Sequence, residues 1–290
     1  MNRATTPTPE LEVAAVVALM RSGRQPSAVY ADLVEEAGSA RPVLDEEQGL
    51  LAPQLLDEAA GDVARWARQE IRLVTVLDPS YPDNLRVVFD RPLLLFVFGG
   101  IEPGDCQSVA LIGSRRASAA GLAAARTIAS HLAVSGYTIV SGLAAGIDTA
   151  AHTETLAAGG RTIAVIGTGL HHSYPPQNAS LQRRIAAEGA LISQFWPDTG
   201  PDPHNFPLRN ALMSGLALAT VVVEATHTSG ARTQVRAALA HGRPVLLAGK
   251  LLDQQWARDA AARPGVYVFR SLPELDEVIA SVSSADELIA

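Results

Sequence analysis

The sequence predicts an α/β fold, a doubly wound and mostly parallel sheet with a small helical region before it. Two observations predict the sheet. From Gln107 onward, short runs rich in β-branched residues (SVALIG, YTIVSG, RTIAVIG, ALISQ, ATVVVEA, RPVLLAG) alternate with helix-like segments. The runs are also nearly continuous in apolar residues, as strands covered on both faces require. A third observation predicts the helical region: up to about residue 70, apolar residues recur at three-to-four spacing.

In order, ELEVAAVVALMRSG, PSAVYADLVEEAG and LLDEAAGDVARWARQE read as helices separated by Gly or Pro breaks. The period changes at RLVTVL, a strand followed by the turn-imposing pairs Asp78-Pro79 and Tyr81-Pro82. PLLLFVFGG is a second strand closed by two glycines. The six strands after Gln107 enclose the helices GLAAARTIASHLAVSG, GIDTAAHTETLAAGG, NASLQRRIAAEG, PLRNALMSGLALA and SGARTQVRAALAHG, and PGVYVFRSLPELDEVIASV adds a last strand and helix. The expected division is a helical domain over 1–70 and an α/β domain over 71–285.

At 290 residues and 48% hydrophobic, the chain has material for a large core. No apolar run approaches the ~20 residues that cross a bilayer. The start, MNRATTPTPE, is polar and lacks a signal-peptide core, so a cytoplasmic location is expected. A single cysteine, Cys106, excludes an internal disulfide and a multi-cysteine metal site.

The net charge of −7 is unevenly spread. Residues 1–105 hold 9 basic and 17 acidic side chains, a net of −8. Residues 106–249 hold 10 basic and 6 acidic, a net of +4, and all ten cations are arginine, which suits bidentate phosphate contacts. Residues 250–290 carry −3. The middle segment permits an anionic ligand without requiring one.

In open parallel sheets, ligands bind outside the carboxyl ends of the strands. Four strands here exit into GSRRAS, SGLAAGID, GTGLHHSYPPQN and THTSGART. Glycine lets a backbone approach a ligand, and the free N–H groups of a first helical turn attract anions. Ser114, Ser141, Thr168 and Ser229 add hydroxyls, and Arg115, Arg116 and Arg232 add charge. A single such turn is ordinary βα chemistry; four at one edge favour a phosphate cradle. Asp148 fits a helix cap better than a ligand contact, and His152, one turn later, fits packing against the loop better than catalysis. Segment 194–210, QFWPDTGPDPHNFPLRN, is a constrained loop carrying Phe195, Trp196 and Phe206 beside Arg209 and Asn210. An aromatic beside an arginine suits a stacked base, whereas Trp196 suits core closure equally well.

Several catalytic patterns are absent. No G-x-G-x-x-G or G-x-x-x-x-G-K-[ST] follows a strand, and no G-x-S-x-G occurs. His152 and Glu154 form H-x-E with no P-C-x-x-C after it, which excludes a zinc deaminase. His171 and His172 lack a partner pair for metal. Glu224 is the one carboxylate placed to act as a base, and a structural role suits it better. No enzyme activity, cofactor or metal is expected.

Taken in order, IGSRRASAAG, IVSGLAAGIDTAAH, GGRTIAVIGTGLHHSYPPQN, GALISQF, NFPLRN and VVVEATHTSGART closely resemble the DNA-processing protein A (DprA/Smf) family. LDPSYPDNL and DRPLLLFVFG extend the resemblance to residues 71–248. It implies an extended Rossmann-like fold that binds single-stranded DNA without hydrolysing nucleotide, forms a homodimer, and helps load a strand-exchange recombinase in natural transformation. The family's phosphate-binding positions fall on Gly113, Ser114 and Arg115, joined here by Arg116, and on Ser141 and Gly142. Others fall on Gly169, Tyr174, Pro175 and Asn178, on Phe206, Pro207, Arg209 and Asn210, and on Ser229 and Gly230.

The chain departs from the pattern at Gln194-Phe195-Trp196, where the family has Glu-(Phe/Tyr)-Pro, and at Arg232-Thr233-Gln234, where it has an aliphatic continuation. The expected dimer surface is residues 211–240, where Ala237, Ala238 and Ala240 permit close approach. An alternative is a nucleotide-binding or nucleotide-hydrolysing protein of the related phosphoribohydrolase-like fold, although its P-G-G-x-G-T-x-x-E motif is missing. A DNA-independent adaptor working through the acidic N-terminal helices is a third reading.

Overall fold

The computed structural model describes residues 9–227 and 229–287. Helices α1 (Pro9–Ser22), α2 (Ser27–Ala37), α3 (Ala40–Gln48) and α4 (Ala52–Arg68) come first. Periodicity finds three of them and misses α3, whose sequence ARPVLDEEQ has four charged residues in nine and buries only Ala40, Val43 and Leu44. Strand β1 (Arg72–Thr75), the single-turn α5 (Asp83–Arg86) and β2 (Leu94–Gly99) lead into the alternating part.

That part runs β3 (Ser108–Ile112), α6 (Ala119–Val134), β4 (Thr138–Ser141), α7 (Ile147–Ala157), β5 (Thr162–Val165), α8 (Ala179–Glu188) and β6 (Ala190–Ser193). It continues with α9 (Asn205–Leu216), β7 (Ala219–Val222), α10 (Ala231–Ala240), β8 (Val245–Ala248), α11 (Gln255–Ala261), β9 (Val266–Phe269) and α12 (Leu272–Glu287). The short α11 is the element that the sequence pattern passes over.

All nine strands form one sheet in the order β1-β2-β6-β5-β4-β3-β7-β8-β9. β6 through β9 in that order are parallel, and β2 pairs antiparallel with both β1 and β6. The mostly parallel, doubly wound sheet is therefore as expected. The chain winds outward from β3 to β6, then returns to lay β7 against the other side of β3. The strand order reverses between β3 and β7, and the crevice beyond their carboxyl ends is where such folds bind ligands.

Alternation along β3 assigns the two cores. Val109 and Leu111 face α6, α7 and α12, within a cluster that includes Ile128, Leu132, Ile147 and Ile279. Ala110 and Ile112 face a larger cluster that contains α9 and α10 residues and also the apolar stripes of α1 to α4. The N-terminal helices therefore share a continuous apolar core with the sheet. Trp66 of α4 joins them: its ring lies 5.3 Å from Phe96 on β2 and 5.9 Å from Trp196. Trp196 is a core-closing residue, held edge-on to Phe96 and covered by Arg21. Arg91 reinforces the junction through ion pairs to Asp32 (2.6 Å) and Glu35 (2.5 Å) of α2.

The expected dimer surface needs correction. Leu212 to Leu216 and the whole of β7 are buried inside this chain. Ala238 is buried as well, because α10 lays that face on the sheet. Of the 211–240 stretch, the outer face of α10, with Arg232, Arg236 and Ala240, stays exposed.

Candidate nucleic-acid interface

The loop after β3 is fixed by its backbone. Ser114 N–H donates to Glu224 O (2.6 Å), and Ser114 O accepts from Ile147 N–H (3.2 Å). The strand exits of β3 and β7 and the start of α7 are thereby held together. Glycine is required at Gly146, which has φ +84° and would drive any Cβ into Ser114 O. Ser114 is buried, and its Oγ accepts from Arg116 N–H (3.1 Å), which turns the following backbone outward. Arg115 and Arg116 end up exposed at the rim.

Glu224, the one carboxylate placed to act as a base, is committed to structure. It accepts from Ser118 N–H (2.8 Å) and Ser118 Oγ (2.5 Å), while Ser118 caps α6 through Gly121 N–H.

The SGLAAGID stretch sits beneath the rim. Leu143 adopts φ +55°, a left-handed conformation that costs a non-glycine residue roughly 1–2 kcal/mol. Asn178 compensates by donating to Leu143 O (2.9 Å) and Thr149 Oγ1 (2.8 Å). Asp148 is buried and accepts from Ala144 N–H (3.3 Å). Burial raises its pKa, opposed by the nearby Arg209 and by the backbone N–H groups of Ala144 and Gly142.

Arg209 is itself only 5% exposed and donates to Gly142 O, to Val165 O (3.0 Å) and to Asn210 Oδ1 (3.0 Å). Burial lowers its pKa, opposed by Asp148. A Cβ at Gly142 would collide with its guanidinium, which explains glycine there. His152, fully buried against Thr162 Oγ1 (2.7 Å), has its pKa pushed down by burial to about 3.

Two cavities open above this floor. One, of about 710 Å³, lies at the crevice between β3 and β7 and is lined by residues 112–116, by Phe206, Arg209 and Asn210, and by the start of α10. The second, of about 180 Å³, lies over the ends of β4 and β5, with Gly142, Gly167, Thr168, Tyr174 and Pro175 in its wall. Phe206 and Arg115 line both. The Arg115 guanidinium lies over the Phe206 ring at 5.1 Å, Arg209 at 5.9 Å, and the Tyr174 ring at 5.7 Å. Arg115 has no carboxylate within ion-pair distance among the described residues.

The structure thus brings together Gly113, Ser114, Arg115, Arg116, Phe206, Arg209, Asn210, Ser229 and Gly230 around the larger cavity, with Gly142 and Tyr174 at the smaller one. Three expected contact residues lie elsewhere. Ser141 is fully buried and donates to Leu111 O (2.7 Å), which ties β4 to β3. Asn178 is spent on Leu143. Gly169 lies under loop 196–199, where its N–H donates to Thr199 O (2.8 Å). His171 (2.7 Å) and His172 (3.0 Å) both bond Asp198, and so hold the same loop. Residues that motif reading missed are Ala144, Pro203, Met213, Thr226, Thr233 and Gln234. Position within the first turn of a helix beside the switch point is the signal that could have found the last two.

A family model described as DNA recombination-mediator protein A matches residues 72–262. The chain belongs to that family. Among curated members, Protein Smf of Synechocystis is 37% identical over 218 residues, covering 70% of this chain and 54% of that protein. The DNA processing protein DprA of Streptococcus pneumoniae is 39% identical over 186 residues, 64% of this chain and 66% of that one. The chain therefore spans about half to two thirds of the curated family members it matches.

The X-ray structure of DNA processing protein A from S. pneumoniae superposes with a TM-score of 0.75 at 29% identity, over 93% of this chain and 98% of that one. The Helicobacter pylori DNA processing protein A, described structurally for its single-stranded DNA binding mode, shares the fold at 23% identity and a TM-score of 0.63. It covers 72% of this chain and 96% of that chain. Among the described residues, no helix is long and apolar enough to cross a membrane.

Proposed function

We propose that this protein binds single-stranded DNA at the carboxyl edge of its sheet, without hydrolysing nucleotide, as a DNA-processing protein of uptake and recombination. The observation that carries the reading is Phe206, whose ring meets the guanidinia of Arg115 and Arg209 where two cavities adjoin at the topological switch point. An exposed arginine beside an aromatic offers one phosphate contact and one stacking platform, the pairing that grips single strands. Arg116 and the Ser114 hydroxyl extend the phosphate path. The single-stranded DNA binding of the H. pylori protein supports the reading. The commitment of Glu224 to Ser118 disfavours nucleotide hydrolysis, because the carboxylate that lines the cavity, Asp148, is buried and bonded to Ala144 N–H.

In this proposal the unit over 71–285 carries the DNA, and the helices up to residue 70 buttress it. The protein protects the strand in the cytoplasm, pairs as a homodimer, and passes the strand to a strand-exchange recombinase.

Fluorescence anisotropy with labelled single strands, duplex and mononucleotides across a salt series tests it. Single strands are expected to bind much more tightly than duplex, with log affinity falling against log salt by about 0.7 per neutralised phosphate. Preference for duplex, salt-insensitive binding, or tight binding of mononucleotides alone overturns the reading. Sedimentation of the same protein reads the dimer, and a monomer at micromolar concentration overturns that element.

A further inference from the structure

Among the side chains that line the larger cavity, Gln234 stands apart. It lies one turn into α10 and is 1% exposed, and neither Oε1 nor Nε2 of its amide has a hydrogen-bond partner. Buried amides are nearly always paired, because an orphaned donor or acceptor loses its water without compensation. Several polar groups of the same lining are already used. Asn210 accepts from Arg209 Nε and donates to Gly230 O, Ser229 Oγ accepts from Ala231 N–H, and Ser114 Oγ accepts from Arg116 N–H. The lining therefore holds a donor and an acceptor, side by side, that its hydrogen-bonded neighbours leave unanswered.

Resting on the single-stranded DNA reading above, we infer that Gln234 is a specificity-determining residue that reads one base of the bound strand, with adenine as its preferred partner. An amide pairs with a base edge that sets a donor beside an acceptor. On the edge that carries N7, adenine alone among the four bases does so, with N6–H beside N7, and glutamine bidentate to N6 and N7 is an established way of reading it. A base seated in the cavity lies beyond Phe206, so stacking fixes its plane and Gln234 reads its edge. Stacking and phosphate contacts at this site accept any base. Gln234 adds discrimination among them.

The test uses the full chain and two labelled oligonucleotides of equal length: a thymine tract, and the same tract with adenine at every third position, so that any register offers one adenine. The wild type is expected to bind the adenine-bearing strand about 5- to 150-fold more tightly, the range of one good bidentate base contact. Gln234→Leu should abolish that difference and leave affinity for the thymine tract within about twofold. It should also raise the melting temperature of the free protein, because an apolar side chain of similar shape removes two orphaned groups. Equal wild-type affinity for the two strands overturns the inference and leaves the site intact. So does an unchanged adenine preference in Gln234→Leu. Failure to bind either strand overturns the site reading, and the inference with it.

Discussion

Arg115 and Arg209 both approach the Phe206 ring, at 5.1 and 5.9 Å, and are opposite in kind. Arg115 is exposed on a loop beyond the central strand β3, with no carboxylate within ion-pair distance among the described residues. Arg209 follows the first turn of α9, which points inward over the ends of β4 and β5. There it is 5% exposed and donates to two strand-end carbonyls. The rim of the cavity is made of groups that await a ligand, and the floor, Gln234 apart, of groups already satisfied. Substitutions in the floor should therefore cost stability, whereas those on the rim should cost affinity.

The largest effect is expected from Arg209→Ala. It leaves Gly142 O and Val165 O without their donor and Asp148 buried without its nearby cation. Breaking a buried charge arrangement by removing one partner costs about 3–5 kcal/mol. Urea denaturation should show a loss of unfolding free energy of that size, with DNA affinity per folded molecule falling as a consequence of the collapsed floor. A variant of normal stability that has lost only DNA binding would move Arg209 to the rim and erase the distinction.

His152 sharpens the floor side of the comparison through pH. Its folded-state pKa, about 3, lies below the ordinary histidine value of 6.5. Between those values the unfolded chain binds a proton that the folded one refuses, so stability rises with pH across that window and is lost as pH falls from about 6.5 towards 3. At pH 4 this one residue accounts for about 3 kcal/mol of acid destabilisation relative to pH 7. His152→Gln keeps a hydrogen bond to Thr162 and removes the titration. Denaturation at pH 7 and pH 4 should show a smaller acid loss in the variant, by roughly that amount. An equal loss in both proteins would mean that His152 is hydrated or charged in the folded state.

Sequence periodicity made the sheet legible because buried parallel strands need near-continuous apolar runs, which nothing in the surrounding helices mimics. The strand exits were legible too: Gly113, Gly142 and Gly146 mark places where backbone or guanidinium comes too close for a Cβ. Which polar residues of those exits reach a ligand was not legible. Ser141, Asn178 and Arg209 have ligand chemistry in sequence, and the fold spends all three on its own carbonyls. The order in which the strands pair decides this, since it alone places Leu111 O beside Ser141 and Gly142 O beside Arg209. α3 and Gln234 escaped for a related reason: a short charged helix has little apolar stripe, and a lone glutamine carries no motif.

The rim side of the comparison rests on Arg115→Ala. Both carboxylates that could have held this side chain structurally are accounted for: Asp148 is bonded to Ala144 N–H beneath the floor, and Glu224 to Ser118. What Arg115 touches is the face of Phe206, an exposed cation–π contact of about 0.5–1 kcal/mol that steadies the guanidinium over the mouth of both cavities. A charge-assisted phosphate contact from that position contributes on the order of 1–3 kcal/mol. The variant should then bind single strands several-fold to about a hundredfold more weakly, with a salt slope shallower by about 0.7, the share of one phosphate on a single strand. Its melting temperature should match that of the wild type within a degree or two, because no fold contact beyond the ring is removed. A parallel loss of stability with an unchanged salt slope would instead make Arg115 part of the floor, and the first phosphate contact would pass to its neighbour Arg116, whose N–H is turned by Ser114 towards the same opening.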